Sequence, residues 1–402
     1  MSDDAPWMRT ARAAGLLGAD GVARPTIFAE MSAMAARYDA VNLGQGFPDE
    51  DAPEPVLEAA VTAIRSGVNQ YPPGRGTPDL RAAIAEHRQR FRGDTVDPTT
   101  EVLVTAGATE ALAAALLALV RPGDEVVVLE PTYDAYAALI ALAGARMRRI
   151  PLRGHDQQPS TADIDAAIGP RTRVVLVNNP HNPTGTLVET ALLERIAQRA
   201  AENDAIIVAD EVYEHLVYDG ATFTSMASLP AGRGRTLVVS SAAKTFRVTG
   251  WKIGWITGPA ALIDAVTAVK QFLTYVNGAP FQPAVAVGLR LGDDYFEGLR
   301  DALQRRRDLL SAGLTAAGFT VSPSRGSYFV VADAGPLGVT DGDAFARELV
   351  RDVGVASIPL IAFAPGSTDA HIQRSLRFAF CRTDSAVEEA VRRLQRVGGR
   401  RL

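Results

Sequence analysis

The chain has 402 residues, 47% of them hydrophobic, and a net charge of −5 with acidic and basic residues scattered rather than blocked. No basic stripe points to nucleic acid, no run of 18 apolar residues suggests a membrane span, and the single Cys381 excludes a disulfide framework within the chain. This size suits two packed lobes. The stretch through Arg24 carries Asp3, Asp4, Arg9 and Arg12 without an apolar signal-peptide core, so a cytoplasmic metabolic protein is the expectation.

In chain order, Thr77-Pro78-Asp79 opens a helix, with threonine as N-cap and proline at the first helical position. From about Glu101 to Gly258, short apolar runs alternate with helical stretches. Strands are expected over Val102–Thr105, Glu125–Leu129, Arg146–Ile150, Val174–Asn178, Ile206–Asp210, Leu237–Ser240 and Ile253–Thr257. Helices are expected over Thr109–Val120, Asp134–Ala143 and Glu189–Glu202. Such runs read as a largely parallel α/β sheet covered on both faces, in which ligands bind beyond the carboxyl ends of the strands.

After about Gly292 the pattern changes. A long helix over Phe296–Ala316 carries a Leu299, Leu303, Leu310 and Leu314 stripe, and its Arg305-Arg306-Arg307 run reads as a solvated face. A strand over Ser327–Ala332, a helix over Asp343–Val353, a strand over Ser375–Cys381 and a helix over Ala386–Val397 follow. This mixture reads as a smaller α+β lobe over 292–402, joined by the N-terminal segment 1–50, with 51–291 forming the large lobe.

Polar residues gather at the strand ends: Gly107-Ala108-Thr109, Glu130 to Tyr133, Asn178 to Asn182, Asp210, and Ser241 to Lys244. Lys244 is one of only three lysines and follows the apolar run Thr236-Leu237-Val238-Val239. An ammonium at the end of a buried strand loses water, and an amine with a lowered pKa is what Schiff-base chemistry needs. A helix cap or a carboxylate partner would equally explain a lone lysine. Small residues at Gly107-Ala108-Thr109 let backbone N–H groups at a helix start face a phosphate. Asp210 closes a five-residue apolar run. It is either a strand end or a buried anion awaiting a cation such as a protonated pyridine nitrogen.

Asn182-Pro183-Thr184-Gly185, Asp210-Glu211-Val212-Tyr213 and the run from Ser241 to Lys252 stand in the order and spacing of the class I aminotransferases. The chain resembles these fold-type-I pyridoxal-phosphate enzymes from Val41-Asn42-Leu43-Gly44-Gln45-Gly46-Phe47-Pro48 through Leu376-Arg377-Phe378. The resemblance implies a large domain with a mostly parallel seven-stranded sheet between helices, plus a small α+β domain. It implies pyridoxal 5′-phosphate as cofactor, with Lys244 as the Schiff-base lysine and Asp210 paired with the pyridine nitrogen. Asn182 and Tyr213 would then hydrogen-bond the cofactor phenolate oxygen, while Tyr133 stacks on the ring. The backbones of Ala108 and Thr109, with Ser241 and Lys252, would hold the phosphate. Tyr71 would reach the phosphate of the neighbouring subunit in a homodimer. Arg377 would form a bidentate pair with the substrate α-carboxylate, with Gly46 and Asn182 beside it.

Within the family the chain is most similar to the branch of kynurenine, glutamine and methionine aminotransferases and cysteine-S-conjugate β-lyases. It resembles the actinobacterial N-succinyldiaminopimelate aminotransferases most of all, through Phe28-Ala29-Glu30-Met31-Ser32, Asn69-Gln70-Tyr71-Pro72-Pro73-Gly74 and Gly278-Ala279-Pro280-Phe281-Gln282-Pro283. Transamination and β-elimination would use the same residues. A non-catalytic regulator is disfavoured, because only about 40 residues precede the Gly44 motif and Lys244, Asp210 and Arg377 are all present. Phe272, Tyr275 and Phe281 suit bulky or apolar side chains, whereas Arg75 and Arg247 are candidates either to meet a distal carboxylate or, equally, for a structural role. His87, His155, His181, His215 and His371 lack metal-ligand spacing and read as solvated or locally hydrogen-bonded. Cys381 reads as core filler, and Trp251 and Trp255 as packing residues.

Overall fold

The computed structural model describes residues 5–18 and 20–398. Its first elements are α1 (Pro6–Ala13), α2 (Ile27–Arg37), the short strand β1 (Val41–Asn42), α3 (Glu54–Arg65) and α4 (Pro78–Arg92). Thr77 caps α4 as its sequence predicts: its hydroxyl accepts from the Leu80 amide at 3.4 Å. Gly93 closes that helix in the left-handed region at φ 68°.

The main sheet contains β2 (Val102–Ala106), β3 (Glu125–Glu130), β4 (Arg146–Arg153), β5 (Gln158–Pro159), β6 (Thr172–Asn178), β7 (Ile206–Asp210), β8 (Thr236–Ser241) and β9 (Ile253–Thr257). Their order across the sheet is β2-β9-β8-β7-β6-β3-β4-β5. Strands β8, β7, β6, β3 and β4 are parallel neighbours, while β9 runs antiparallel between β8 and β2. The seven expected strands are all present; the eighth, β5, is a two-residue antiparallel edge on β4.

Period-two alternation explains how both faces are filled. Val126 and Val128 point into a core completed by α5 (Gly107–Leu119), α6 (Asp134–Leu142) and α10 (Ala260–Lys270). Val127 and Leu129 point into the opposite core, with α7 (Thr161–Ala167) and α8 (Thr190–Glu202). Each fully buried aliphatic side chain contributes about 1.5–3 kcal/mol, so the apolar runs hold the sheet while its polar strand ends are left for other work.

After the short α9 (Ala242–Thr245), α11 (Phe281–Leu289) and α12 (Asp293–Ala316), a second sheet is built from β10 (Thr320–Val321), β11 (Phe329–Asp333), β13 (Ile358–Pro359) and β14 (Ser375–Ala379). Its order is β10-β11-β14-β13, entirely antiparallel. Between β11 and β13 lie α13 (Gly342–Glu348), running on into a π-helical turn at Leu349–Val353, and β12 (Val355–Ala356), which pairs in parallel with β1. Helices α14 (Ala370–Arg374) and α15 (Asp384–Gly398) flank β14. Met31, Ala35 and Leu43 share a core with Leu310, Leu314, Phe378 and Leu394.

One expectation fails on α12. Arg306 and Arg307 are buried, not solvated. Arg306 pairs with Glu50 at 2.7 Å and also with Asp384, and Arg307 grips both Asp219 oxygens at 2.7 Å. The leucine stripe is as expected, but its flanks carry ion pairs that fasten other segments onto the helix. Among the described residues no helix is long and apolar enough to cross a membrane.

Candidate active site

The carboxyl ends of the central strands open into a cavity of about 300 Å³ lined by Gly46, Ala108, Thr109, Tyr133, Asn182, Asp210, Tyr213, Ser241, Lys244, Lys252 and Arg377. Residues from β1's downstream loop, the carboxyl ends of β2, β3, β6, β7 and β8, and β14 thus meet in one place. Every expected site residue lies here except Tyr71, which is 80% exposed and edges against Tyr275 at 5.4 Å.

Lys244 sits on α9, directly after β8. Burial pushes its amine down to about 8, and its Nζ donates to the Gly46 carbonyl at 3.3 Å. Asp210 ends β7 and is buried, which raises its carboxyl above the usual range. Only one oxygen is well satisfied: the Tyr136 hydroxyl donates to Oδ2 at 2.6 Å, whereas the nearest donor to Oδ1, the Val212 amide, stands 3.5 Å away. A buried carboxylate with one oxygen nearly free is suited to a cationic N–H.

The asparagine cluster divides into scaffold and site. The Asn178 side chain accepts from the Asn182 amide at 2.7 Å and donates to the Asp210 carbonyl at 3.0 Å, and the Asn179 side chain accepts from the Val188 amide at 3.0 Å. Asn182 itself faces the cavity, and its Oδ1 accepts from Arg377 at 3.2 Å. That leaves the amide nitrogen as the donor. Tyr213 is fixed by edge-on contact with Tyr328 at 5.1 Å, and burial raises its hydroxyl pKa.

Gly107 starts α5 at φ +74°, and a Cβ there would stand 3.1 Å from Lys252 Nζ. The space that glycine leaves, at a helix N-terminus facing an ammonium, is an anion cradle. Arg377, central on β14, is stacked against Phe329 at 4.1 Å, Phe363 at 4.7 Å and Phe28 at 5.4 Å. Its Nη2 donates to the Gly44 carbonyl, its Nε is buried without a partner, and burial lowers its pKa to about 10. A Cβ on Gly46 would stand 2.7 Å from the Phe329 ring, so any side chain there would have to displace that ring.

Several residues in or beside the cavity had no sequence signal of their own. Tyr136 lies in an Ala- and Leu-rich helix and reads as core. Phe28, Phe329 and Phe363 are ordinary apolar residues until β14 places Arg377 between them. Arg75 and Arg247 are not in the cavity lining. Arg75 donates to the Thr100 carbonyl at 2.9 Å and pairs with Asp264; Arg247 pairs with Glu50 at 2.9 Å. Buried His87 and half-buried His215 are hydrogen-bonded to each other at 2.7 Å among Phe91 and Phe296, the local pairing expected as the alternative to solvation. His181 is also buried, against the Thr184 hydroxyl at 2.8 Å, while His371 meets Gln157 at 2.9 Å. Cys381 is buried, its thiol pushed up to about 11. Trp251 stacks on Phe281 at 4.8 Å, and Trp255 is buried.

An amine of lowered pKa, a buried carboxylate short of one donor, a flat tyrosine and an anion cradle share this cavity, and pyridoxal phosphate has an aldehyde, a ring nitrogen, a ring face and a phosphate. Residues 38–394 match the family model described as Aminotransferase class I and II. The chain belongs to that family. It is a pyridoxal-phosphate-dependent aminotransferase.

The enzyme is 51% identical over 378 residues to a probable N-succinyldiaminopimelate aminotransferase of Mycobacterium tuberculosis (strain ATCC 25618 / H37Rv), covering 92% of this chain and 95% of that one. It is 37% identical to a methionine aminotransferase of Escherichia coli (strain K12), covering 92% and 96%. The solved structure of N-succinyldiaminopimelate aminotransferase from Mycobacterium tuberculosis superposes with a TM-score of 0.90 at 50% identity, covering 93% of this chain and 97% of that one.

Proposed function

We propose that this aminotransferase moves an amino group from N-succinyldiaminopimelate chemistry to a 2-oxo acid, in a lysine-producing reaction sequence in the cytoplasm. The observation that supports this best is identity of 51%, spread over 92% of the chain, to a relative of that description. The division of labour is as follows. Bound pyridoxal phosphate supplies an aldehyde that accepts the amine and a ring that takes up electrons when the substrate Cα loses its proton. Lys244 anchors the cofactor and then, as a free amine, carries the proton away from substrate Cα. Asp210 holds the ring nitrogen protonated, and Tyr136 holds Asp210. Asn182 and Tyr213 donate to the phenolate oxygen, and Tyr133 covers the ring. Ala108, Thr109, Ser241 and Lys252 bind the phosphate, joined by Tyr71 from a second copy in a homodimer. Arg377 takes both oxygens of the α-carboxylate, and Gly46 closes against it. The chain divides into 1–50 and 292–402 as the small domain and 51–291 as the large one.

A second reading keeps the chemistry and changes the donor. With Lys244, Lys252 and Arg377 committed, the cavity lining holds no further cation, but it does hold Phe28, Phe47, Phe329 and the carboxylate of Asp134. That wall favours kynurenine-, glutamine- or methionine-like side chains, or β-elimination from cysteine conjugates. Kinetics with the succinylated donor, methionine, kynurenine and a cysteine conjugate separate these readings. A kcat/KM for the succinylated donor at least about a hundredfold above the rest supports the first, a gap of about 2.7 kcal/mol. Pyruvate and ammonia released from the conjugate mark elimination.

A further inference from the structure

The strip from Gly44 to Glu50 forms one wall of the cavity through Gln45, Gly46 and Phe47. It has almost no regular structure of its own, since β1 ends at Asn42 and α3 begins at Glu54. Its inner half is held by the site itself: Arg377 donates to the Gly44 carbonyl, and Lys244 and Tyr328 both donate to the Gly46 carbonyl. What holds its outer half is a set of arginines. Arg382, whose Nε donates to the Asn42 carbonyl at 3.0 Å, pairs with Asp49 and lies 4.7 Å over the Phe47 ring. Glu50 is gripped from two sides. Arg306 on α12 donates to Oε1 at 2.7 Å and to Oε2 at 3.1 Å, and Arg247 donates to Oε2 at 2.9 Å.

The two arginines come from different parts of the molecule. Arg247 is three residues past Lys244, held at φ +59°, and Arg306 is near the middle of α12, the helix that leads into the second sheet. Asp384 takes Arg306 from its other side, so that guanidinium is already fixed before it meets Glu50. A bidentate guanidinium with a second acidic partner loses less side-chain freedom than an isolated surface pair, and such networks are where ion pairs repay their entropy. The Arg306 guanidinium keeps the Glu50 carboxyl below its usual range, so the latch is charged at neutral pH.

We propose that Glu50 is a positioning residue for catalysis: by joining Arg247 behind the Schiff-base lysine to Arg306 on α12, it fixes the Gly44–Glu50 wall at the distance a substrate carboxylate needs. This rests on the assignment of that carboxylate to Arg377 and Gly46. Glu50 touches no reacting atom. Its removal leaves the cofactor's own contacts in place and loosens the wall against which substrate closes, so the loss falls on substrate affinity.

The test uses cofactor-loaded Glu50→Gln and Glu50→Asp, with Glu86→Gln as a control that removes one surface partner of Arg290 far from the cavity. Three quantities are read: cofactor dissociation constant, KM against kcat for amino donor and 2-oxo acid, and the spectral titration of the loaded enzyme with an unreactive short carboxylic acid. Glu50→Gln is expected to raise KM and the acid's dissociation constant about five- to tenfold, with kcat down less than about threefold and cofactor affinity within about twofold. Glu50→Asp, too short to hold both arginines, is expected to show a smaller loss of the same kind and serves alone if the Gln variant does not fold. Acid affinity and KM within about twofold of the native values, or an equal loss in Glu86→Gln, overturn the proposal. Arg377→Lys, which weakens acid binding more than Glu50→Gln does if the underlying assignment is right, tells failure of that assignment from failure of the latch.

Discussion

Lys244 and Asp210 carry the sharpest consequences at the scale of single residues. Borohydride treatment of the loaded enzyme is expected to attach the cofactor to Lys244; peptide mass spectrometry finding it on Lys252 or Lys270 would refute the assignment. Because burial pushes the Lys244 amine from 10.5 down to about 8, the folded protein disfavours its charged form. The unfolded chain therefore binds more protons between those values, and stability gained from this residue rises with pH across that window. Denaturation of the cofactor-free protein against Lys244→Met, at pH values from about 7 to 11, is expected to show the native protein gaining relative stability on the alkaline side. Asp210→Asn is expected to keep the fold and lower kcat by several orders of magnitude, since a neutral amide cannot hold a pyridinium proton; the buried charge-assisted bond alone is worth about 1.5–3 kcal/mol. Tyr136→Phe removes one neutral donor to the same carboxylate, and a milder loss of about three- to tenfold in cofactor affinity is expected by equilibrium dialysis. Arg377→Lys should raise KM for every amino donor while leaving cofactor affinity unchanged, because an ammonium replaces a two-pronged guanidinium with a point charge. A donor-selective effect would show that Arg377 reads side chains instead.

What a segment discloses in advance depends on whether its role is local or assembled. Strands β3, β6, β7, β8 and β9 were legible because both faces are buried and their interior positions are almost all apolar. The two-residue β5 was not, having no room for a pattern; it is set by the turn at Gln157, at φ +51°. Lys244, Asp210 and Asn182 could be read because each stands where a strand ends and no packing reason requires its type. Tyr136 could not, since a hydroxyl in an apolar helix gives no hint of the carboxylate it meets across the sheet. The Arg305–Arg307 run misled for the opposite reason: Glu50 and Asp219 lie far away in sequence, so a charged stripe built for partners reads as one built for water. At the start of α5, Gly107→Ala is expected to cost about 1–2 kcal/mol through its positive φ and to crowd Lys252. Reconstitution titrations should show weaker binding of the cofactor with near-normal secondary structure; unchanged affinity would place the phosphate elsewhere.

At the scale of the whole molecule, Tyr71 is exposed, does not line its own cavity and packs edge-on against Tyr275, in a segment where Phe272, Leu273 and Tyr275 are all exposed. Such a surface fits a shared site between two copies. Mixing Lys244→Ala with Tyr71→Phe should then give hybrid dimers in which one site carries neither lesion, and activity above both parents. If mass spectrometry verifies exchange and activity stays at the parental level, the sites are not shared.

The antiparallel course of β9 has a further consequence. In a wholly parallel sheet, the residue preceding a strand would lie at the far edge from the cavity. Because β9 reverses, its beginning lies beside the end of β8, and the eleven-residue link from Ala242 to Lys252 leaves and returns to the same rim. Lys244 enters with it and Lys252 closes it. The link is thus a molecular ruler, spacing the amine that meets the cofactor's aldehyde from the ammonium that meets its phosphate. Lengthening it by one residue would leave every strand in register and yet mismeasure the cofactor.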